Sequence, residues 1–207
     1  MKLTHFNQVG ELLDPPVTRY RGAVVSIHGA NTRGAWQKDI TPILQDAAIR
    51  HEAVDYGTRR LRALLGSSSG ICQRILETYE KQLHYHDFPG AIGHSLGSFA
   101  LGEALKKWKP LTFKRVVLCG CILPRNYPWT KLASNGQVER VWNEVACRDI
   151  WARLAPIRPG WGTSGCKGFN NGGSFVYNNE HEWSGHSEVL TRLHCKSVWI
   201  PFLLGES

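Results

Sequence analysis

Gly93-His94-Ser95-Leu96-Gly97 sets a serine between two glycines, the Gly-x-Ser-x-Gly pattern. This pattern suits a serine at a sharp strand-to-helix turn, whose hydroxyl stands clear of a sheet. Side chains two positions before and after that serine would collide across the turn, which explains the glycines. The helix that follows aims its free N–H groups at the serine, where they can hold a developing oxyanion. A serine hydroxyl is a poor nucleophile at neutral pH. It needs an adjacent base, and the base needs an acid that fixes its tautomer. The chain holds 21 glycines, so five matching residues alone are weak evidence. The surrounding elements must supply the rest.

Residues 1 to 20 read as an irregular lead-in with room for an edge strand, because Asp14-Pro15-Pro16 breaks any helix. Residues 22–27 form a short β-branched apolar run before His28-Gly29-Ala30-Asn31, a buried strand and its turn. Trp36, Ile40, Ile43, Leu44 and Ala47 recur at helical spacing between 32 and 50, with Pro42 marking a bend or a later start. Residues 51–57 read as a strand and 58–67 as a loop or short helix near the active face. A helical stripe over 71–83 follows, opened by the capping serines 67 to 69. Residues 90–94 read as the strand before Ser95, and Phe99, Leu101 and Leu105 place a helix after it that Pro110 ends.

Residues 115–122 form the clearest strand. A connection rich in proline and aromatic residues leads to an alternating strand over 138–147, and residues 150–154 fit a short helix. Residues 156–173 read as a glycine-rich loop, 174–178 as the last strand and 187–199 as a closing helix. Strand and helix alternate and the strands look buried. That predicts an α/β fold with a mostly parallel sheet covered by helices on both faces, in one domain over 1–207.

In such a sheet, reactive side chains come from loops at the carboxyl ends of strands. Asp149 follows the strand ending at Cys147, and His186 lies between the last strand and the closing helix. Glu144 rivals Asp149 but lies inside its strand, where its side chain reaches the loop face less readily. His181 and His194 rival His186; the first is early in the same loop, the second falls on the closing helix.

The order Ser95, Asp149, His186 is that of the α/β-hydrolase fold. With His28-Gly29 after an early strand, the chain resembles a small serine hydrolase of the lipase/esterase type in the α/β-hydrolase superfamily, over residues 22 to 200. The resemblance implies an oxyanion hole from the N–H of Leu96 and a second N–H at Ala30, with Asn31 as the fallback. His28, far from the last strand, reads as a turn-stabilising residue and not as a base. Only about fifteen residues separate the strand ending at Ile122 from the next, so the helical cap domain of larger relatives cannot fit. Tyr127, Pro128 and Trp129 are expected to form a small flap. Trp161 and Phe169 are expected to line an acyl or aryl pocket, with Asn31 and His94 as further pocket candidates.

The reading this gives is an ester- or acyl-cleaving hydrolase acting on a small molecule, with no metal and no cofactor. Two rivals stand beside it. The same residues could transfer an acyl group or cleave a thioester. The fold could instead serve as a binding module that uses its basic surface, since the net charge is +8. The basic residues are scattered and carry no nucleic-acid motif, so no nucleic-acid partner is expected. No apolar run approaches the ~20 residues that span a bilayer, and the first residues lack the apolar core of a secretory signal. A cytoplasmic protein is expected. The six cysteines have no Cys-x-x-Cys pair and no zinc-ligand spacing, and read as reduced structural thiols.

Overall fold

A computed structural model describes residues 20–30, 34–57 and 69–206. Its six strands are β1 (Gly22–Ile27), β2 (Ile49–Val54), β3 (Gly90–His94), β4 (Phe113–Cys119), β5 (Val138–Ala146) and β6 (Val176–His181). They form one sheet in the order β2-β1-β3-β4-β5-β6. Every neighbouring pair is parallel. The chain moves outward one way from β1 to β2 and the other way from β3 to β6. Such a reversal opens a crevice at the carboxyl ends of β1 and β3.

Successive strand residues point to opposite faces, and each face meets its own helices. Val24, Ile92, Val117 and Cys119 pack against Trp36, Ile40 and Leu44 of α1 (Ala35–Asp46), together with Trp199 and Phe202 near the chain end. Val25, Ala91, Val116 and Leu118 pack against Ile75 and Tyr79 of α2 (Ser69–Leu83) and Leu101 and Ala104 of α3 (Leu96–Lys107). Helix α1 runs on through Pro42.

The connection between β4 and β5 holds only a short helix, α4 (Trp129–Ser134), and no cap domain. Its aromatics correct the expectation of a flap. Trp129 is 0% exposed and Tyr127 2% exposed. The Tyr127 hydroxyl donates to Gly102 O at 2.7 Å, and the missing side chain at Gly102 makes room for the ring. Phe169 is buried too, edge-on to Trp129 at 5.6 Å. These rings are core because α4 folds back onto the layer of α2 and α3. Their apolar area is worth more there than in solvent.

Other boundaries also differ. After β5 come α5 (Ile150–Leu154) and, inside the expected 156–173 loop, α6 (Ser164–Lys167). The closing helix starts later than expected and runs further. It consists of α7 (Arg192–His194), a π-helical turn (Cys195–Trp199) and α8 (Ile200–Leu204). Thr191 sets the start, since its hydroxyl accepts from the N–H of His194. The expectations for residues 1 to 19, for 58–67 and for Asn31 lie outside the described residues. Five of the six cysteines are buried, and Cys147 is partly exposed. Among the described residues no helix is long and apolar enough to cross a membrane.

Candidate active site

Strand β3 ends at His94 and helix α3 begins at Leu96, so Ser95 alone makes the turn. Its backbone takes φ 53° and ψ −119°. Such a conformation costs a non-glycine residue on the order of 1–3 kcal/mol and persists only where neighbours enforce it. Here Ser95 N–H donates to Cys119 O at 3.0 Å, and Ser95 O accepts from the N–H and the hydroxyl of Ser98 at 3.0 and 2.6 Å. The Ser95 side chain is half-buried. Its Oγ makes no hydrogen bond among the described residues, and catalytic bonds are often long before substrate arrives.

The two flanking glycines serve different neighbours. A Cβ on Gly93 would lie 2.9 Å from Ser98 Cα, across the turn. A Cβ on Gly97 would lie 2.3 Å from Ile27 O and 2.6 Å from His28 O. Gly97 therefore lets the start of α3 abut the end of β1. Leu96, at the first position of α3, has an N–H with no intrahelical partner. Gly29 is equally close, since a Cβ there would lie 2.9 Å from Ser95 Cβ. Tyr56 ties this turn down by donating to His28 O and Gly29 O, and its ring stacks on His28 at 3.9 Å. His28 Nδ1 donates to Gly29 O at 2.8 Å, and burial lowers the pKa of its ring.

Asp149 and His186 meet beyond the ends of β5 and β6. Asp149 is 0% exposed, and its carboxylate is shared. Oδ1 accepts from Ala152 N–H at 2.8 Å and so caps α5, while Oδ2 bonds His186 Nδ1 at 2.7 Å. A carboxylate can only accept, so the proton of this bond sits on Nδ1, which in the neutral ring puts the lone pair on Nε2. A Cβ on Gly120, at φ +51°, would lie 2.8 Å from His186 Cε1. Because Ser95 N–H bonds Cys119 O, Ser95 and His186 flank the same Cys119–Gly120 turn.

His94 is 2% exposed, which corrects its reading as a pocket residue. Its Nε2 lies 3.3 Å from both His186 O and Ser187 Oγ, so it props the segment that carries His186. Burial, followed by the neighbouring His186, pushes its pKa down to about 3, and the ring is neutral. Trp161 is half-buried and tilts against the half-buried Phe99 at 5.8 Å. Phe99 stands one helical turn beyond Ser95 on α3.

The rivals form a cluster of their own. Glu144 is 0% exposed on the face of β5 away from α6. His181 Nε2 reaches its Oε2 at 2.6 Å and His194 Nε2 its Oε1 at 2.7 Å. Trp142, Trp199 and Asn179 donate to it as well. Burial pushes this carboxyl up, but the bonds from His194, His181, Trp199 and Asn179 outweigh it and bring the pKa down to about 2. Spacing in the sequence could not foretell this convergence. One signal was present: an acid two residues after Trp142 on a buried strand shares its face and demands partners.

No family model and no curated protein matches the chain. Solved structures do. A monoacylglycerol lipase from Paleococcus ferrophilus is 13% identical, over 92% of this chain and 96% of that one, with a TM-score of 0.64. The chain has the α/β-hydrolase fold. A polyneuridine aldehyde esterase shares it at 13% identity, over 86% and 97% of the two chains, with a TM-score of 0.59. So does a thioesterase of the prodiginine biosynthetic pathway in Streptomyces coelicolor, at 11% identity over 97% and 98%, with a TM-score of 0.56. In this α/β-hydrolase fold the turn after β3 and the ends of β5 and β6 lie at one edge of the sheet, where Ser95, Asp149 and His186 are found.

Proposed function

We propose that this protein is a serine hydrolase that cleaves an ester or related acyl bond. The observation that carries this reading is the 2.7 Å bond between His186 Nδ1 and the fully buried Asp149, on the sheet edge that holds the strained Ser95 turn. Ser95 Oγ attacks the acyl carbonyl while His186 Nε2 takes its proton. Asp149 fixes the tautomer of His186 and stabilises the imidazolium. The N–H groups of Leu96 and Ala30 hold the tetrahedral oxyanion, a role in which one donor is worth ~2.7–4 kcal/mol. His186 returns the proton to the leaving group. Water then attacks the acyl-enzyme by the same route in reverse.

The lipase, the esterase and the thioesterase that share the fold all act, by their names, at an acyl carbonyl. That supports an acyl substrate of small-molecule size. Phe99, one helical turn after Ser95, and Trp161 packed against it offer apolar surface for the substrate's acyl or aryl part. The chemistry needs no metal and no cofactor. The test is hydrolysis of p-nitrophenyl esters of increasing acyl length. Turnover by the wild type that is lost in Ser95→Ala and in His186→Ala supports the reading. Equal turnover in wild type and both variants refutes it.

A further inference from the structure

Glu144 lies outside the Ser95, Asp149 and His186 grouping, yet its partners sit at both ends of the segment that carries His186. His181 is the last residue of β6, and His194 ends α7. Between β6 and α7 run residues 182–191, with His186 in the middle. This segment starts on one carboxylate oxygen, through His181 to Oε2, and finishes on the other, through His194 to Oε1. Trp199 adds a 2.8 Å bond to Oε1. His194 and Trp199 are five residues apart, about 140° around an ordinary α-helix. They share one partner because the chain there is wound as a π turn, with its i→i+5 spacing.

Glutamate, histidine and histidine are also the residues of many metal centres, and their donor atoms lie within 4.8 Å of one another. The carboxylate here is already saturated. Five N–H donors reach its two oxygens: Trp142, Trp199 and His194 on Oε1, Asn179 and His181 on Oε2. A carboxylate has about four lone-pair sites, so none is left for a cation. Both histidines must donate from Nε2, which turns these nitrogens away from metal ligation. The arrangement binds segments of chain.

We propose that Glu144 is a positioning residue, a buried clamp that closes both ends of the 182–191 segment and thereby holds His186 in reach of Ser95 and Asp149. Strand β5 and the turn after it then serve the base twice. Glu144 fixes the ends of its segment, and Asp149, five residues on, fixes the ring. Backbone bonds support the same geometry, since Cys147 N–H donates to His181 O and Arg148 N–H to Ser184 O, both at 3.1 Å. The proposal rests on the serine hydrolase reading for its kinetic consequence, but its structural claim about His186 stands without turnover.

The experiment compares His194→Leu, which cannot donate, with His194→Gln, which can. Glu144→Gln is made alongside. The His194 side chain is partly exposed, so these variants are expected to fold even where Glu144→Gln does not. Two readouts are taken on folded protein. The first is kcat and KM on a p-nitrophenyl ester. The second is the low-field proton resonance of the His186–Asp149 bond, assigned by its loss in His186→Gln. Misplacing a catalytic group by an ångström can cost about 10²-fold. His194→Leu is therefore expected to lower kcat by roughly 10- to 100-fold with KM little changed, and to broaden or abolish the resonance. His194→Gln is expected to restore both. A folded His194→Leu with wild-type kcat and resonance overturns the clamp. So does tight Zn²⁺ binding that is lost in Glu144→Gln, because it would make the cluster a metal site. If the wild type has no turnover, the hydrolase reading fails, and the resonance alone judges the clamp.

Discussion

Replacing Gly97 by alanine would separate the two proposed oxyanion donors, Leu96 and Ala30, without touching any reacting side chain. The new Cβ would stand 2.3 Å from Ile27 O and 2.7 Å from Ile27 C, both rigid backbone atoms of a buried strand. Ordinary contact begins near 3.4 Å, so the start of α3 must move away from β1 by roughly 1 Å. Leu96 N–H travels with it, while Ala30 stays on the β1 turn. A hydrogen bond near 2.9 Å that lengthens by about 1 Å no longer counts as one. The loss falls on the transition state, at ~2.7–4 kcal/mol or about 10²–10³ in kcat. Overpacking costs a further ~1–3 kcal/mol of stability. The assay is steady-state ester hydrolysis with a thermal melt on the same preparation. Gly70→Ala is the control: an added Cβ there meets nothing within 4 Å among the described residues, and kcat should not change. A folded Gly97→Ala with kcat within about twofold of wild type would show that the N–H of Leu96 does not hold the oxyanion.

Three further outcomes follow from the same geometry. In Asp149→Asn the amide oxygen can still cap Ala152 N–H, but the amide nitrogen faces His186 Nδ1 and selects the tautomer with its proton on Nε2. We expect kcat to fall by about 10⁴ while the melting temperature moves little, and an equally large loss of stability would refute this division of labour. Acid should destabilise the fold. Burial lowers the pKa of His51 from 6.5 to about 4 and, aided by His186, that of His94 from 6.5 to about 3. The unfolded chain takes up these protons near its ordinary value and the folded chain only below it. Their stabilisation is therefore complete above pH 6.5 and declines on acidification towards the folded values, by up to ~1.4 kcal/mol per pH unit for each ring. Urea midpoints at pH 7, 6 and 5 measure this, and a flat profile contradicts it. Trp161→Ala should raise KM about three- to tenfold for long acyl chains and less for acetate, at a transfer cost of ~0.8 kcal/mol per methylene. Equal effects on both would place the acyl chain elsewhere.

Strand β3 was legible to the residue, because small apolar residues bounded by Pro89 and Ser95 leave one reading. The parallel sheet followed from alternating strand and helix. The closing helix was misplaced because apolar spacing in 187–199 does not reveal that 182–191 is held out as a loop by His186, His181 and His194. Tyr127 and Trp129 were expected in a flap and Phe169 in a pocket wall because Pro128 and the nearby glycines signal loops, whereas tertiary burial decided their place. Ser95, Asp149 and His186 could be nominated from order alone, since each follows a strand. Glu144 could not be resolved. His181 and His194 lie 37 and 50 residues away; the pairing of β5 with β6 brings the first to it and the packing of the closing helix brings the second.

The measurement closest to the centre of this account is intact-mass analysis after treatment with a fluorophosphonate, which reacts only with an activated serine. The wild type should gain one phosphonyl adduct, mapped to Ser95, and a folded Ser95→Ala should gain none. An unlabelled wild type with a cooperative melt, or an adduct that persists in Ser95→Ala, would contradict it.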